Sequence, residues 1–210
     1  QDRIRHRTQD QAVSARRVSY VLPTTHADLL VLGCGPAGYA AAVQAARANL
    51  HPLLLTGASE GSTSREGSLP PGWPTDVDMV QGPELKRRLR AHAEHASTRV
   101  VFDEIRWVNL ARWPFHVQGD SGHYTCDALI VAVDRPMAAE LFQGQLEMRS
   151  GHIVTYTGLS GLATLTSLQG VFVVGDALDP ALDPVITSTG TGCMAVLDAQ
   201  RFLEQRSLEQ

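Results

Sequence analysis

Apolar runs and helical stretches follow one another along the first part of this chain. A continuous apolar run covers residues 29–32 and a second covers residues 52–55, as expected of strands that are buried on both faces. Between them lies an Ala-rich stretch, residues 37–48, which predicts a helix. The order strand, helix, strand indicates a βαβ unit, in which a parallel sheet is joined by a crossover helix.

The turn between the first strand and this helix reads GCGPAG, which is the pattern GxGxxG. In a βαβ unit this pattern favours a dinucleotide site, because glycine permits the tight turn and lets a pyrophosphate approach the backbone. The N–H groups at the start of the helix face the phosphates. The candidate binding residues are Gly33, Gly35, Pro36, Ala37 and Gly38.

The sequence has no clear counterpart of the acidic residue that usually completes such a site. It is expected about 20 residues beyond the glycines, where it binds the adenosine ribose. The second strand ends at Leu55-Thr56-Gly57 without one, which leaves Glu60 as the nearest candidate. The sequence is equally consistent with Glu60 as a solvated loop residue that takes no part in binding.

A second informative segment lies near the end of the chain. A buried strand, residues 171–174, ends in Gly175-Asp176, and an aspartate there can accept a hydrogen bond from a ribityl hydroxyl. The stretch TSTGTG then opens a predicted helix that runs to about Leu203. Thr187, Ser188 or Thr189 is suited to cap this helix, whose dipole favours negative charge at its start.

The middle of the chain predicts shorter elements. Residues 82–96 indicate a helix, and the segments TRVVFDEIRWVNLARW, PFHVQGD and HYTCDALIVAV indicate the strands of a small antiparallel meander. The last of these strands leads into DRPMAAELFQGQLEM, which is predicted to be a loop.

Composition and charge exclude several classes of function. The net charge of −4 gives no reason to expect a nucleic-acid partner, although residues 1–26 hold five Arg against two Asp. That segment is predicted to be a flexible basic extension. No apolar run reaches the ~18 residues of a membrane span, so no membrane partner is expected.

The cysteines of this sequence give no sign of redox chemistry or metal binding. Cys34, Cys126 and Cys193 lie far apart, form no CxxC, and belong to no Cys/His cluster with zinc spacing. We expect reduced, buried thiols in a cytoplasmic protein, with neither a metal site nor a catalytic residue.

Taken together, several segments resemble the FAD domain of the bacterial low-molecular-weight thioredoxin reductase family. They are LLVLGCGPAGYAAAVQAARANL, GHYTCDALIVA, FQGQLEM, GVFVVGDALD and ITSTGTGCMAVLDAQRFL. The resemblance covers about residues 27–205 and implies one Rossmann-like FAD/NAD(P)-binding domain, an α/β fold with a central parallel sheet and a small antiparallel meander. Residues 206–210 are then a C-terminal tail.

The resemblance also shows what this chain lacks. In the family, an NADPH domain with the catalytic Cys-x-x-Cys divides the FAD domain in two. Here the two halves are joined directly near residues 131–136, and no such domain or cysteine pair lies between them. The FAD fold can survive this, because the missing domain buries its own core.

The resemblance implies that this chain carries different residues at the positions where the family contacts the flavin ring. The positions are Gly61-Ser62-Thr63, Gly72, Ala132-Val133-Asp134 and Asp183-Pro184. Losing three or four hydrogen bonds, at about 1 kcal/mol each, predicts FAD binding that is weak, partial or absent. The residues that resemble pyrophosphate and ribityl contacts are retained.

Three functions follow from this combination. The first is a flavoprotein domain that binds FAD, is not a self-sufficient NADPH-dependent disulfide reductase, and takes electrons from another donor if it is redox active. The second is a pseudoenzyme that acts as a binding or regulatory module for an unidentified protein partner. The third is a site for an adenine nucleotide other than FAD. A homodimer is compatible with all three.

Overall fold

The computed structural model describes residues 22–57, 82–156, 164–178 and 185–209. These residues form nine strands and four α-helices, which alternate in the first part of the chain. The strands are β1 Thr24–Leu32, β2 Leu53–Thr56, β3 Arg99–Phe102, β4 Ile105–Asn109, β5 Phe115–Gly119, β6 His123–Val131, β7 Met148–Arg149, β8 His152–Ile153 and β9 Val171–Val173. The helices are α1 Pro36–Arg47, α2 Gly82–His95, α3 Arg135–Phe142 and α4 Val185–Leu208.

Five strands form a parallel sheet in the order β3-β2-β1-β6-β9. The two longest strands, β1 and β6, are neighbours at its centre and pair from Thr24↔His123 to Leu32↔Val131. β1 is apolar on both faces in its second half because helices and loops cover the sheet on both sides. The predicted fold class, a Rossmann-like α/β domain with a central parallel sheet, is confirmed.

The long strand β6 also supports the antiparallel meander. Its first half pairs with β5, through Gln118↔His123 to Phe115↔Cys126, while its second half pairs with β9. β4 completes the meander beside β5. One detail of the prediction is wrong: residues 99–102 belong to the parallel sheet beside β2, so the segment TRVVFDEIRW divides between two parts of the fold.

Buried side chains form two layers, one on each side of the sheet. One cluster combines Leu29, Val31 and Ile130 with buried residues of α1 and α4. The other combines Leu30, Leu32 and residues of α3 and the meander. Alternate residues of a strand point to opposite faces, which is why neighbours along β1 belong to different clusters.

Helix α3 occupies the position where the sequence predicted a loop. It begins directly after β6, and the Asp134 side chain caps it by accepting from the N–H of Met137 at 3.0 Å. Gln145 then ties this region to the meander: its Oε1 accepts from Leu110 N at 2.9 Å and its Nε2 donates to the carbonyl of Val108 at 2.9 Å. The loop prediction is therefore wrong.

Two predicted boundaries, the start of the first strand and the end of the last helix, differ from those in the structure. The sheet takes in three residues that the prediction gave to the N-terminal extension, since β1 begins at Thr24. At the other end α4 continues to Leu208 rather than ending near Leu203. Within the described helices, none is both long and apolar enough to cross a membrane.

A buried carboxylate fixes the turn between β3 and β4 against the meander. Asp103, only 1% exposed, accepts from the hydroxyl of Tyr124 at 2.8 Å and from the N–H of Ser121 at 2.9 Å. The burial and this bond raise the pKa of Tyr124 to about 12. The tyrosine hydroxyl therefore remains a hydrogen-bond donor under ordinary conditions.

Tyr124→Phe is expected to lower the free energy of unfolding by about 1–3 kcal/mol, because it leaves a buried carboxylate oxygen without its donor. Urea titration measures this change. Tyr156→Phe is the matched control, since Tyr156 is 48% exposed and its partner Glu147 is also at the surface. Equal losses in the two variants would contradict a special role for the buried pair.

Candidate functional site

The glycine loop connects β1 to α1 with almost no free space around two of its glycines. Gly33 has a φ of 125°, a conformation that L side chains rarely adopt. A Cβ on Gly33 would lie 2.2 Å from the carbonyl oxygen of Ala132, and one on Gly38 would lie 2.3 Å from that of Gly33. The loop is therefore pressed against the end of β6, and its shape depends on these two glycines.

Gly35 is the exception in this loop. A Cβ at Gly35 would meet no described atom within 4 Å, and its φ of −76° suits any residue. Gly35 is also the N-cap of α1, where no side chain caps the helix and the first turn holds no acidic residue. The N–H groups of Ala37 and Gly38 precede the first intrahelical bond, so the helix start combines open space with backbone donors.

Helix α4 lies directly against the start of α1. A Cβ on Gly192 would lie 2.3 Å from the carbonyl oxygen of Ala37, so glycine allows the two helices to touch. The N–H of Gly175 donates to the hydroxyl of Thr191 at 3.3 Å, which joins α4 to the end of β9. Ser188, 6% exposed, lies beside Gly175 at this junction.

The first residues of α4 differ from the prediction. The helix begins at Val185, so Thr187 and Ser188 lie in its first turn, Thr189 follows them within the helix, and none of the three is the N-cap. Thr189 instead donates its hydroxyl to the carbonyl of Ile186 at 2.9 Å, within the helix. The capping prediction is wrong, because the described helix already includes all three residues.

Asp176 follows β9 in a single 3-10 turn, Gly175–Ala177. Its Oδ2 accepts from the backbone N–H of Arg135, the first residue of α3, at 3.1 Å. The same region holds Asp134, which caps α3. Asp176 therefore lies at the carboxyl end of the sheet, as expected, and one of its two oxygens is already bonded to the chain.

The structure thus brings most candidate residues to one edge. Gly33, Gly35, Pro36, Ala37 and Gly38 follow β1, Asp176 follows β9, and Thr187 and Ser188 lie in α4 where it meets Gly175. Glu60 and the altered positions 61–63, 72 and 183–184 lie outside the described residues. The carboxyl edge of an open parallel sheet is where such folds bind ligands.

Sequence reasoning missed Arg135 as a neighbour of this edge. Its N–H reaches Asp176 because α3 starts immediately after β6. The signal in the sequence was Asp134-Arg135-Pro136. An acidic N-cap, followed by a proline in the first two helical positions, is typical of a helix start.

The described thiols are reduced and two of them are buried, as predicted for Cys34 and Cys126, whereas Cys193 is half-buried. Burial raises the pKa of the Cys126 thiol far above its usual range. A buried thiol with a raised pKa is a poor nucleophile, so Cys126 has a packing role.

The sheet order, the glycine loop and the carboxyl-edge aspartate define this chain as a Rossmann-like fold of the FAD/NAD(P)-binding type. No family model matches the chain. The thioredoxin reductase of Vibrio cholerae is 30% identical over 311 aligned positions, which take in 86% of this chain and 98% of the relative. The chain therefore belongs to the thioredoxin reductase family.

Further relatives and solved structures are similar to most of this chain. The thioredoxin reductase of Escherichia coli O157:H7 is 28% identical over 86% of this chain and 97% of the relative. The glucosaminate ammonia-lyase of Pseudomonas fluorescens is 28% identical over 85% of this chain and 96% of the relative. Among solved structures, the thioredoxin reductase from Giardia duodenalis has a TM-score of 0.74 at 17% identity, over 85% of this chain and 99% of that one.

Proposed function

We propose that this chain binds FAD at the glycine loop and acts as a flavin domain that does not itself reduce disulfides with NADPH. The observation behind this proposal is the start of α1. There, uncapped backbone donors adjoin open space at Gly35, while Gly33 and Gly38 hold the loop tightly against β6. This arrangement suits a pyrophosphate, because backbone N–H groups and the helix dipole favour negative charge at the helix start.

The described residues fit the pyrophosphate and ribityl parts of FAD. The backbone from Gly33 to Gly38 would hold the pyrophosphate, with the N–H groups of Ala37 and Gly38 donating. Asp176 would accept from a ribityl hydroxyl through the oxygen that Arg135 does not use. Thr187 and Ser188 lie in the first turn of α4, whose dipole favours negative charge nearby. Bound FAD supplies a reversible carrier of two electrons.

Two observations support the absence of an NADPH domain within this chain. The alignment with the Vibrio cholerae relative spans 311 positions, more than the 210 residues available, so a long stretch of that relative has no counterpart. Residues 132–170, between β6 and β9, are fewer than the ~50 of a small domain. The part of this stretch that the structure describes forms α3 and the two-stranded sheet of β7 and β8.

The cysteine content supports the same proposal. The sequence has three cysteines, and none forms a CxxC pair that could pass electrons from a flavin to a disulfide. Electrons that reach bound FAD would come from a separate reductase or a small donor.

The purified chain with FAD is expected to show no NADPH-dependent reduction of thioredoxin above the rate without protein. A coupled assay that follows free thiols measures this, with a complete thioredoxin reductase as the positive control. As a control, a separate sample is treated with a chemical reductant of flavins. Bleaching of the bound FAD in that sample shows that loss of the cofactor does not explain the absence of turnover. Turnover comparable to that of the complete enzyme would contradict the proposal.

A second candidate, an adenine nucleotide other than FAD, is favoured by the bond between Asp176 and Arg135. That bond takes up one of the two carboxylate oxygens and leaves the other for a ribityl hydroxyl, while it involves no residue of the glycine loop. ADP and NAD would bind the same loop without a ribityl contact to Asp176. Comparison of FAD with ADP separates the two candidates.

A further inference from the structure

Three side chains of types that commonly ligate metals lie close together on β1 and β6, outside the glycine loop. The Nε2 atom of His26 lies 3.9 Å from Asp28 Oδ1 and 3.7 Å from Asp127 Oδ2. One ligand atom from each of the three residues lies within 4.8 Å of the other two. The two His–Asp distances are too long for hydrogen bonds, so Nε2 faces both carboxylates across a gap.

This gap is close to the size of a shared metal ion. Nitrogen and oxygen ligands lie about 2.0–2.2 Å from a tetrahedral Zn²⁺, so two ligands of one ion are ~3.3–3.6 Å apart. The distances of 3.9 Å and 3.7 Å from His26 Nε2 are slightly longer, a difference that small rotations of these side chains close when an ion binds. The side chains are accessible to an ion from solvent, with exposures of 49% for His26, 65% for Asp28 and 22% for Asp127.

The other ring nitrogen of His26 is held in place. Nδ1 lies 2.9 Å from the hydroxyl of Thr125, a residue that is 9% exposed. When Nδ1–H donates to this oxygen, the lone pair is on Nε2, the ring nitrogen for which the two short distances to the carboxylates are recorded. Metal-binding histidines are commonly oriented in this way by a partner on the second nitrogen, which fixes both the ring and its tautomer.

The strand register places the two carboxylates side by side. β1 and β6 pair through Ala27↔Cys126 and Leu29↔Ala128, and Asp28 and Asp127 are the residues between these pairs. Like charges at neighbouring positions of a sheet destabilise it. A cation between them converts this repulsion into attraction, which gives the sheet a physical reason to take up an ion here.

We propose that His26, Asp28 and Asp127 bind one divalent transition-metal ion of the Zn²⁺ type, with Thr125 orienting the imidazole. An imidazole combined with two carboxylates suits Zn²⁺, whereas Mg²⁺ prefers oxygen ligands alone. The site lies in the first half of β1 and near the middle of β6, while the glycine loop follows the carboxyl end of β1. The metal site is therefore separate from the nucleotide site.

Calorimetric titration of the chelator-treated full chain with Zn²⁺, under reducing conditions, tests this site. The wild type is expected to bind one ion at this site, and excess Mg²⁺ is expected not to displace it. His26→Gln and Asp127→Asn should each weaken binding at least 10-fold, since each removes one of three ligands. Thr125→Val should weaken it about 10-fold to 100-fold, the usual effect of losing the partner of a ligating histidine.

Two histidine variants serve as controls. His95→Gln changes an exposed histidine of α2 and should leave Zn²⁺ affinity unchanged. His123→Gln removes one member of the nearby stacked pair His116–His123, whose ring nitrogens lie 3.1 Å apart, and should also leave it unchanged. Circular dichroism establishes that each variant is folded.

Several outcomes would overturn the proposal. They are the absence of Zn²⁺ binding in the wild type, an affinity that His26→Gln or Asp127→Asn does not change, displacement by Mg²⁺, and a loss of binding in His123→Gln as large as in His26→Gln. An unchanged affinity in Thr125→Val would overturn the role of Thr125 in orienting the ligand.

Discussion

Gly35→Val is expected to abolish FAD and ADP binding while the protein remains folded. The Cβ of the new side chain would project into space where no described atom lies within 4 Å, so among the described residues it meets no group. That space is where a pyrophosphate would approach the backbone. We expect affinity for both nucleotides to fall at least 100-fold, equivalent to ~2.7 kcal/mol. The free energy of unfolding should change by about 1 kcal/mol or less, the usual effect of a poorer N-cap.

Gly38→Ala provides the contrast to Gly35→Val. Its Cβ would lie 2.3 Å from the carbonyl oxygen of Gly33, so the backbone must shift. We expect a loss of about 3 kcal/mol or more in unfolding free energy, measured by urea titration. If Gly35→Val retained nucleotide affinity, the pyrophosphate would not lie on this loop. If it unfolded as readily as Gly38→Ala, the space at Gly35 would be filled rather than open.

Asp176→Ala is expected to weaken FAD binding about 10-fold to 100-fold and ADP binding less than 2-fold. A hydrogen bond to a charged group contributes about 1.5–3 kcal/mol, and only FAD has a ribityl chain to make it. Calorimetric titration with both ligands measures the two losses. An unchanged ADP affinity would also show that the glycine loop keeps its structure when the bond between Asp176 and Arg135 is lost.

Glu140→Ala is the matched control for this comparison. Glu140 is an exposed carboxylate on α3, the helix whose first N–H contacts Asp176. Its removal should leave both affinities unchanged. Equal losses for FAD and ADP in Asp176→Ala would show that Asp176 does not contact the ribityl chain, and would favour an adenine nucleotide as the ligand.

The sequence predicted the part of the fold in which local pattern and tertiary packing agree. The apolar runs of β1 and β2, the glycines and the Ala-rich helix α1 form one βαβ unit, and each signal supports the others. The position of Asp176 at the carboxyl edge followed from the apolar strand before it. These features depend on short-range patterns that a sequence displays directly.

The errors arose where contacts distant in sequence decide the structure. Helix α3 is too short to show a helical period, and it forms because Asp134 caps it and Gln145 ties its end to the meander. Strand β3 pairs with β2 across a long intervening segment, so its local pattern did not separate it from the meander.

The cluster of His26, Asp28 and Asp127 was missed for a similar reason. His26 was assigned to the extension before the sheet, and the partner of Asp28 lies on β6, almost one hundred residues further along the chain. The pairing of β1 with β6 brings Asp127 to the cluster, and the sequence alone displays only the part on β1, where His26 and Asp28 lie two residues apart. An alternating pattern of polar residues at the start of β1 was the available signal.

The visible absorption spectrum of the purified chain, recorded after equilibration with FAD and removal of free flavin, tests the central claim most directly. We predict flavin bands from protein-bound FAD, which mass spectrometry of the released ligand should identify, and the loss of these bands in Gly35→Val. A colourless wild-type protein that also shows no binding in an equilibrium FAD titration would contradict the claim.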